Sequence, residues 1–584
     1  MAAIDGLDSS SPRVSGGCRH RHWTTLAVQW RWGRCPGDEP GLLIGCPSRG
    51  RRCVVPWLRP LQPAPGGLQE PTAAPGAWAS GWGSGRPPSP SPFATPVDQT
   101  PTPAARGGRR AAEQRLAAID PARYGASRNH LDGAVTRLSP YIRHGVLSLT
   151  EVRQEVFARL EAMAGPETVV QPDLFAAAGA AAPRWSPAQR RAGEKLISEL
   201  GWRDYWQRLW RQLGDGIWID REPLKTGHAA STYATALPSD LAAASTGLAC
   251  IDAFATELMA TGWLHNHARM WLGSYVVHWR RVRWQAGARW FLQHLLDGDP
   301  ASNNLSWQWL ASSFSHKPYF FNRANLERFS GGRHCAACSA AARGGAGAPG
   351  GCPFEASYEA LQEQLFRPLV PGYRPSPPAG ARASRGDGPG LDPVRRGGPD
   401  AAVLAAAAAT ATPLQRPLVW VHEEALGPAN PALLAHPGAP ALAVLDADWI
   451  AGRAPLRNPA AGGAMAGSGA RASAADPPWA ELPPAAGRIR FLRECLEALP
   501  VAVRQGDVAA ELLAAAAALG ADGIVSSRPV DPRLQRIAAR LAQVLPLRLL
   551  EPEPFVALPF EGPGAPELRR FSRYWRQAEP LLWG

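Results

Sequence analysis

The sequence predicts a multidomain protein in which an all-α domain is followed by a C-terminal α/β domain built on a Rossmann-like parallel sheet, with a disordered N-terminal segment in front. Three observations predict it. Long amphipathic segments with few strand signals run from Arg109 to about Leu369, as in GEKLISELGWRDYWQRLWRQL (Gly193–Leu213), and apolar residues at helical spacing mark helices. After Pro417 short apolar runs alternate with helical ones, the texture of a parallel sheet wrapped by helices. The remaining stretches hold much of the 59 glycines and 59 prolines among 584 residues, a composition unsuited to a packed core.

In chain order, residues 1–105 are rich in Gly, Pro, Arg and Ser, with PPSPSP at Pro87–Pro92, and are expected to be disordered. Their Arg-rich, acid-poor start fits a transit peptide or a misplaced start codon. The expected location is therefore cytoplasmic for a bacterial chain and organellar if the segment is a transit peptide. Residues 106–369 form the helical domain, 370–415 a linker and 416–584 the α/β domain. In the last, PLVWVH (Pro417–His422), ALAVLDA (Ala441–Ala447), VAVRQGD (Val501–Asp507) and DGIVSS (Asp522–Ser527) read as strands. RIRFLRECLEAL (Arg488–Leu499), ELLAAAAALGA (Glu511–Ala521) and DPRLQRIAARLAQVL (Asp531–Leu545) read as helices. A Gly/Ala/Pro insert at 452–486 reads as a loop.

The apolar runs are too short for a membrane-spanning helix, so a soluble protein, expected monomeric, follows. A net charge of +13 favours polyanionic partners such as nucleic acid. Tryptophan is over-represented, with 23 Trp against 15 Phe and 9 Tyr. Nine scattered cysteines do not make a disulfide scaffold, and a reducing compartment is the default.

Four segments carry chemistry. In TRLSPY, Thr136, Arg137 and Ser139 sit just before a helix, where free N–H groups and side-chain donors suit a pyrophosphate, or where Ser139 is an ordinary N-cap. In ELGWR, Glu199, Trp202 and Arg203 share one helical face, and Asn266, Arg269 and Met270 repeat that spacing in HNHARM. Two helices with matched polar and aromatic faces are hard to read as core. DGDPASNN adds Asp297, Asp299 and Asn303. Separately, Cys335 and Cys338 form C-x2-C, with Cys352 downstream and Cys250 upstream, a set that suits an iron–sulfur cluster, zinc or free thiols.

Together Tyr124–Ser148, Glu199–Trp206, Gly262–Met270 and Leu296–Trp309 resemble the FAD-binding domain of the DNA photolyase and cryptochrome family. The resemblance spans roughly Tyr124–Phe321. It implies that Tyr124, Thr136, Arg137, Leu138 and Ser139 line the FAD phosphates and ribityl chain, Val135 replacing the usual hydroxyl residue. It also implies that Arg203 faces the phosphates, that Asp297 pairs with Arg269, and that Asp299 accepts from a flavin N–H. Asn303 matches the position facing flavin N5, where an amide is the repair enzymes' solution. Glu199, Trp202, Asn266, Met270 and Trp309 match the pocket for a flipped pyrimidine dimer, and a lesion must leave the stack to reach the flavin. Trp307 and Trp284 match the first two members of the family's electron-transfer chain. The third position falls on Ser231, leaving Trp279 or Tyr275 as candidate donors.

The cysteine spacing is similar to that of iron–sulfur bacterial cryptochromes and photolyases, which implies a 4Fe-4S cluster on Cys250, Cys335, Cys338 and Cys352. VWVHEEALGPANPALLAH (Val419–His436) is similar to the opening of the family's antenna domain, here placed last. Its arginine-containing middle is replaced, so the antenna chromophore is unknown. The implied function is a blue-light-dependent deoxyribodipyrimidine photo-lyase, a carbon–carbon lyase acting on DNA that contains pyrimidine dimers. The alternatives are a cryptochrome-like photoreceptor without repair and a light-independent flavoprotein.

Overall fold

The computed structural model describes residues 105–163, 184–336, 338–368, 413–453 and 482–583. The N-terminal segment, nearly all of the expected linker and most of the 452–486 insert therefore lie outside the described residues. No described helix is long and apolar enough to cross a membrane.

Helix ends in the first half are set by local chemistry. Helix α1 (Pro121–Ser127) starts at Asp120, whose carboxylate accepts from the Arg123 amide, and α2 (Ser139–Arg143) follows the loop at 136–138. The longest helix, α3 (Pro187–Leu213), opens with a capping box between Ser186 and Gln189 and a proline in its first turn. It stops at Gly214, whose φ of 52° an L side chain resists. Helices α4 (Ala249–Thr261), α5 (Asn266–Ser274), α6 (Trp284–His294) and α7 (Pro300–Ala311) follow; α7 packs on α3, α5 and α6, and α4 packs on α5 and α6. α7 presses on α6 so closely that a Cβ on Gly287 would lie 2.3 Å from the Trp307 ring. Only glycine permits that approach.

The second half holds a five-stranded parallel sheet in the order β3-β2-β1-β4-β5. Its strands are β1 (Pro417–Val421), β2 (Ala441–Asp446), β3 (Ala502–Gly506), β4 (Gly523–Ser527) and β5 (Leu547–Leu550). Four were legible as apolar runs; β5 was not assigned from the sequence. The register is set by pairs such as Val419 with Ala441 and Val525.

Strand alternation splits the apolar residues between two cores. Leu418, Trp420, Leu442, Ile524 and Leu549 face the helices α9 (Val508–Leu519) and α10 (Pro532–Ala542). Val419, Val421, Ala443 and Val525 face the other way and join the core that runs through the helical half, together with Phe491 and Leu492 of α8 (Ala486–Glu497). Both faces of the central strands are covered, as a parallel sheet requires. A last helix, α11 (Phe571–Trp583), returns to pack along α3.

Polar contacts cross the same boundary. Arg143 at the end of α2 forms a 2.7 Å ion pair with Glu424, both nearly dry, and His144 lies between the carbonyls of Glu423 and Leu296 at 2.8 and 3.0 Å. Arg488 of α8 donates to the carbonyls of Leu292 and Gly298 at 2.9 and 3.1 Å. Gly298 has φ +33° and its Cα faces that guanidinium, where a Cβ would collide at 2.2 Å. Glu424 also accepts from the Val530 amide at 2.7 Å. Replacing Glu424 by Gln removes the nearer of the two carboxylates paired with the buried Arg143, Asp531 remaining at 4.0 Å, and a buried pair broken on one side costs about 3–5 kcal/mol. Denaturant titration of Glu424→Gln should show a loss of that order, whereas a change below about 1 kcal/mol would mean the pair behaves as an exposed one.

Candidate functional site

Between α1, the 136–139 loop, α3 and α5 lies a cavity of about 740 Å³, counted with its mouth open to solvent. Tyr124 lines it from α1, and Thr136, Arg137, Leu138 and Ser139 from the loop and the start of α2. Arg137 adopts φ 52°, an uncommon conformation for a side-chain-bearing residue, and its guanidinium lies 4.0 Å from the Trp263 ring centroid. α3 contributes Glu199 and Arg203, and α5 contributes Asn266 and Arg269. Nine of the residues singled out in the sequence thus share one wall, from three helices and a loop.

Two buried ion pairs fix this wall to the start of α7. Arg203 reaches Asp299 at 2.7 Å, and Arg269 reaches Asp297 at 3.0 Å while its Nε donates to the Leu264 carbonyl at 2.9 Å. Asp299 also accepts from Gln207 at 3.0 Å and caps α7 through the Ala301 amide at 3.1 Å. Burial opposes ionisation of Asp299, yet Arg203 and then Arg143 outweigh it and hold the carboxyl below its ordinary range. Asp297 is shifted the same way, Arg269 overcoming burial.

Two buried acceptors remain open. Glu199 is 4% exposed and ion-paired to Lys195 at 3.1 Å and Arg128 at 3.4 Å, but neither carboxylate oxygen accepts a hydrogen bond. Asn303 spends its amide N–H groups on the Ala288 carbonyl and on Asn304 at 3.1 and 3.0 Å, leaving Oδ1 buried without a donor. Buried acceptors are ordinarily satisfied, and both ask for a ligand N–H. A reduced flavin carries such a group at N5, the ring position facing Asn303 in the resembled family. The residues present fit FAD: buried arginines, a helix-start loop bearing hydroxyl and guanidinium donors, and a buried amide oxygen free to accept a ring N–H.

The aromatic residues divide. Trp202 is partly buried, its ring stacked on Phe571 of α11 at 3.8 Å and 10°. Trp309 lies against Tyr319, and Met270 receives a weak contact from the Asn266 amide at 3.7 Å. Trp307 is fully buried against Phe291 at 5.0 Å. Trp284 donates to Asp220 at 2.6 Å and stacks on Trp218 at 6.3 Å and 11°. Trp218 was not singled out from the sequence, because it lies some 66 positions upstream in a short 3₁₀ turn at Gly214–Trp218. Trp279 instead packs on Phe321 and Phe354, and Tyr275 on Phe354. Ser231 sits in the turn Ala230–Thr232.

Cys250, Cys335, Cys338 and Cys352 are all buried free thiols. Cys250, in the first turn of α4, is raised by burial and then by the other three thiols, which therefore lie within electrostatic reach. Cys335 is pushed up to about 11, chiefly by burial. Among the described residues no three His, Cys, Asp or Glu side chains close around a single metal ion.

In the α/β half, a crevice past the ends of β1 and β2 is lined by His422, Glu423, Asp446 and Trp449 and measures about 340 Å³ counted with its mouth open to solvent. Arg533 pairs with Glu423, lies 2.9 Å from Asp446 and sits 4.9 Å from the Trp449 ring, tying three of these lining residues together.

Residues 196–331 match the family described as the FAD binding domain of DNA photolyase. Among curated relatives, the deoxyribodipyrimidine photo-lyase of Streptomyces griseus is 36% identical over 122 residues, covering 21% of this chain and 26% of that protein. An enzyme of that name from Thermus thermophilus is 32% identical over 289 residues, covering 48% of this chain and 58% of that one. The chain thus spans between about a quarter and just over half of these relatives. Among solved structures, the Synechocystis cryptochrome aligns at 21% identity and a TM-score of 0.32, over 44% of this chain and 50% of its own.

The helical half also holds five histidines shielded enough to stay neutral, His144, His265 and His278 buried and His267 and His334 half-buried. Burial pushes His144 down to about 3, helped by Arg143 and Arg488, and His267 to about 3, helped by His265. Burial brings His265, His278 and His334 to about 4. Unfolded, each ring takes up a proton near pH 6.5, so between about pH 6.5 and 4 the unfolded chain binds more protons. Stability is then complete above pH 6.5 and falls as pH falls through that window. The melting midpoint should drop progressively from pH 6.5 to 4; a flat profile would contradict neutral burial of these rings.

Proposed function

We propose, from the match of residues 196–331 to the FAD binding domain of DNA photolyase, that the chain is a photolyase and cryptochrome-type flavoprotein and, within that group, a light-driven deoxyribodipyrimidine photo-lyase acting on cyclobutane pyrimidine dimers. The observation that carries this reading is Glu199: a dry carboxylate on the cavity wall, ion-paired on one side and accepting no hydrogen bond. A flipped pyrimidine offers the ring N–H that such an acceptor needs. FAD, when bound, supplies the electron that opens the cyclobutane ring.

The chain's own residues do the holding. Thr136, Ser139 and the amides that open α2 receive the phosphates, and Arg137 adds positive charge beside them. Arg203 and Arg269, each neutralised by an aspartate, shape the wall and add little net charge. Asn303 accepts a ring N–H, and a neutral amide places no negative charge beside a reduced flavin. Glu199 and Asn266 read the edge of the lesion base, while Trp202 offers a ring on which it stacks. The resemblance makes Trp307 and Trp284 the start of an electron-transfer series, which Trp218, stacked on Trp284, would extend. Such a series serves a photoreceptor as readily as a repair enzyme, and a cryptochrome-like photoreceptor is the second reading.

Repair of a thymine-dimer oligonucleotide under blue light, and none in the dark, is the expected result. Flavin photochemistry without repair would move the assignment to the photoreceptor. Trp202→Ala should weaken binding to the dimer-containing strand by about 1–3 kcal/mol, the range for base–aromatic stacking, with flavin content unchanged. Equal affinity of both proteins for damaged and undamaged strands would contradict it.

We further propose that Cys250, Cys335, Cys338 and Cys352 hold an iron–sulfur cluster. Four buried free thiols within electrostatic reach of one another supply the four soft ligands such a cluster needs, and the cysteine spacing resembles that of iron–sulfur members of the family. Anaerobically purified protein should contain iron and acid-labile sulfide, both lost together with soluble yield in Cys335→Ser/Cys338→Ser. Metal-free protein of normal stability would refute it.

A further inference from the structure

Trp202 does not stand alone. One face of its indole is covered by Phe571, at 3.8 Å between centroids and 10° between planes, and Phe571 stacks in turn on Trp575 at 5.5 Å and 19°. Tyr205 meets Trp202 edge-on at 5.8 Å, and Trp206 tilts against it at 5.1 Å. The ring is thus clamped by α11, which comes from the far end of the chain, while the indole stays only partly buried, so some of its surface is left for a base.

From this geometry we propose that Phe571 is the positioning residue for Trp202: it holds the indole so that its uncovered surface stacks on the extruded base. The inference rests on the dimer-binding reading above and extends it to the C-terminal helix. A ring covering a stacking surface could equally be a displaceable lid, and the anchoring of α11 decides between the two. Tyr574, fully buried, donates to Asp204 at 2.6 Å, and Asp204 is itself bound to the buried Arg208 at 2.6 Å. Ala578, Leu582 and Trp583 are buried along the same helix. Gly201, next to Trp202 in α3, faces Trp575 so closely that a Cβ would lie 2.1 Å from the ring. A helix docked on a glycine notch and tied by a buried hydroxyl–carboxylate–guanidinium relay is part of the core. Phe571 is a fixed backstop.

Stacked aromatics restrict each other's orientation, and a ring already fixed loses less freedom when a base arrives. Removing Phe571 should therefore impair lesion binding through Trp202 and through nothing else. The experiment compares wild type, Phe571→Ala, Phe571→Tyr, Trp202→Ala and the double variant Phe571→Ala/Trp202→Ala. It reads the affinity ratio for a single strand with one thymine dimer over the same strand undamaged, with FAD absorbance and melting midpoint recorded for each.

Phe571→Ala should lower the ratio about fivefold or more, the lower bound of a lost base stack, with FAD content and undamaged-strand affinity unchanged. Phe571→Tyr should keep the ratio. In the Trp202→Ala background, Phe571→Ala should change it no further, which a general packing defect would not reproduce. An unchanged ratio in Phe571→Ala overturns the positioning role while leaving the dimer-binding reading intact, and a raised ratio overturns it in favour of a displaceable lid. Wild-type protein without preference for the damaged strand overturns the dimer-binding reading and this role with it.

Discussion

The architecture depends on two buried arginine–aspartate pairs, Arg203 with Asp299 and Arg269 with Asp297. Each joins a cavity-lining helix to the start of α7, so α3, α5 and α7 cannot shift independently without stranding a charge in a dry interior. That penalty is several kcal/mol per ion, larger than any single apolar contact in the neighbourhood. Asp299 concentrates the constraint. It balances Arg203, accepts from Gln207 and caps α7, and α7 carries Asn303, Trp307 and Trp309. The angle at which those three side chains are presented is thus set at the N-cap.

The α/β half bears on the same point from behind. Arg488 grips the Leu292 and Gly298 carbonyls beside Asp297 and Asp299, Arg143 pairs with Glu424, and one face of the sheet merges with the helical core. Through these contacts this half buttresses the site. Its position after the helical half in the chain does not matter for that role, because what counts is which surfaces meet. α11 shows this most plainly, since the last described helix stands against Trp202 in the middle of α3.

What the sequence made legible follows from how local the signal is. Strands β1, β2 and β4 are buried on both faces and read as continuous apolar runs; β5 was missed because four residues between prolines carry no period. α11 was missed because it follows a Gly/Pro stretch and holds Pro580. Pairs at helical spacing, such as Glu199 with Arg203, were visible as shared faces. The double use of Asp299 as cap and counter-ion was not, nor were Phe571 on Trp202 and Trp218 on Trp284, because each joins segments distant in the chain. Cys250 could be grouped with the later cysteines only through a resemblance, since no spacing rule reaches across 85 residues.

The most direct test of this account is the affinity of Asp299→Asn for FAD. Asparagine keeps the N-cap and the shape but removes the charge that holds Arg203. Titration of flavin-depleted protein should show FAD binding weakened at least about tenfold, a loss of about 1.4 kcal/mol or more, with helix content unchanged. FAD affinity equal to that of the wild type would contradict the claim that the buried arginine–aspartate pairs organise the site.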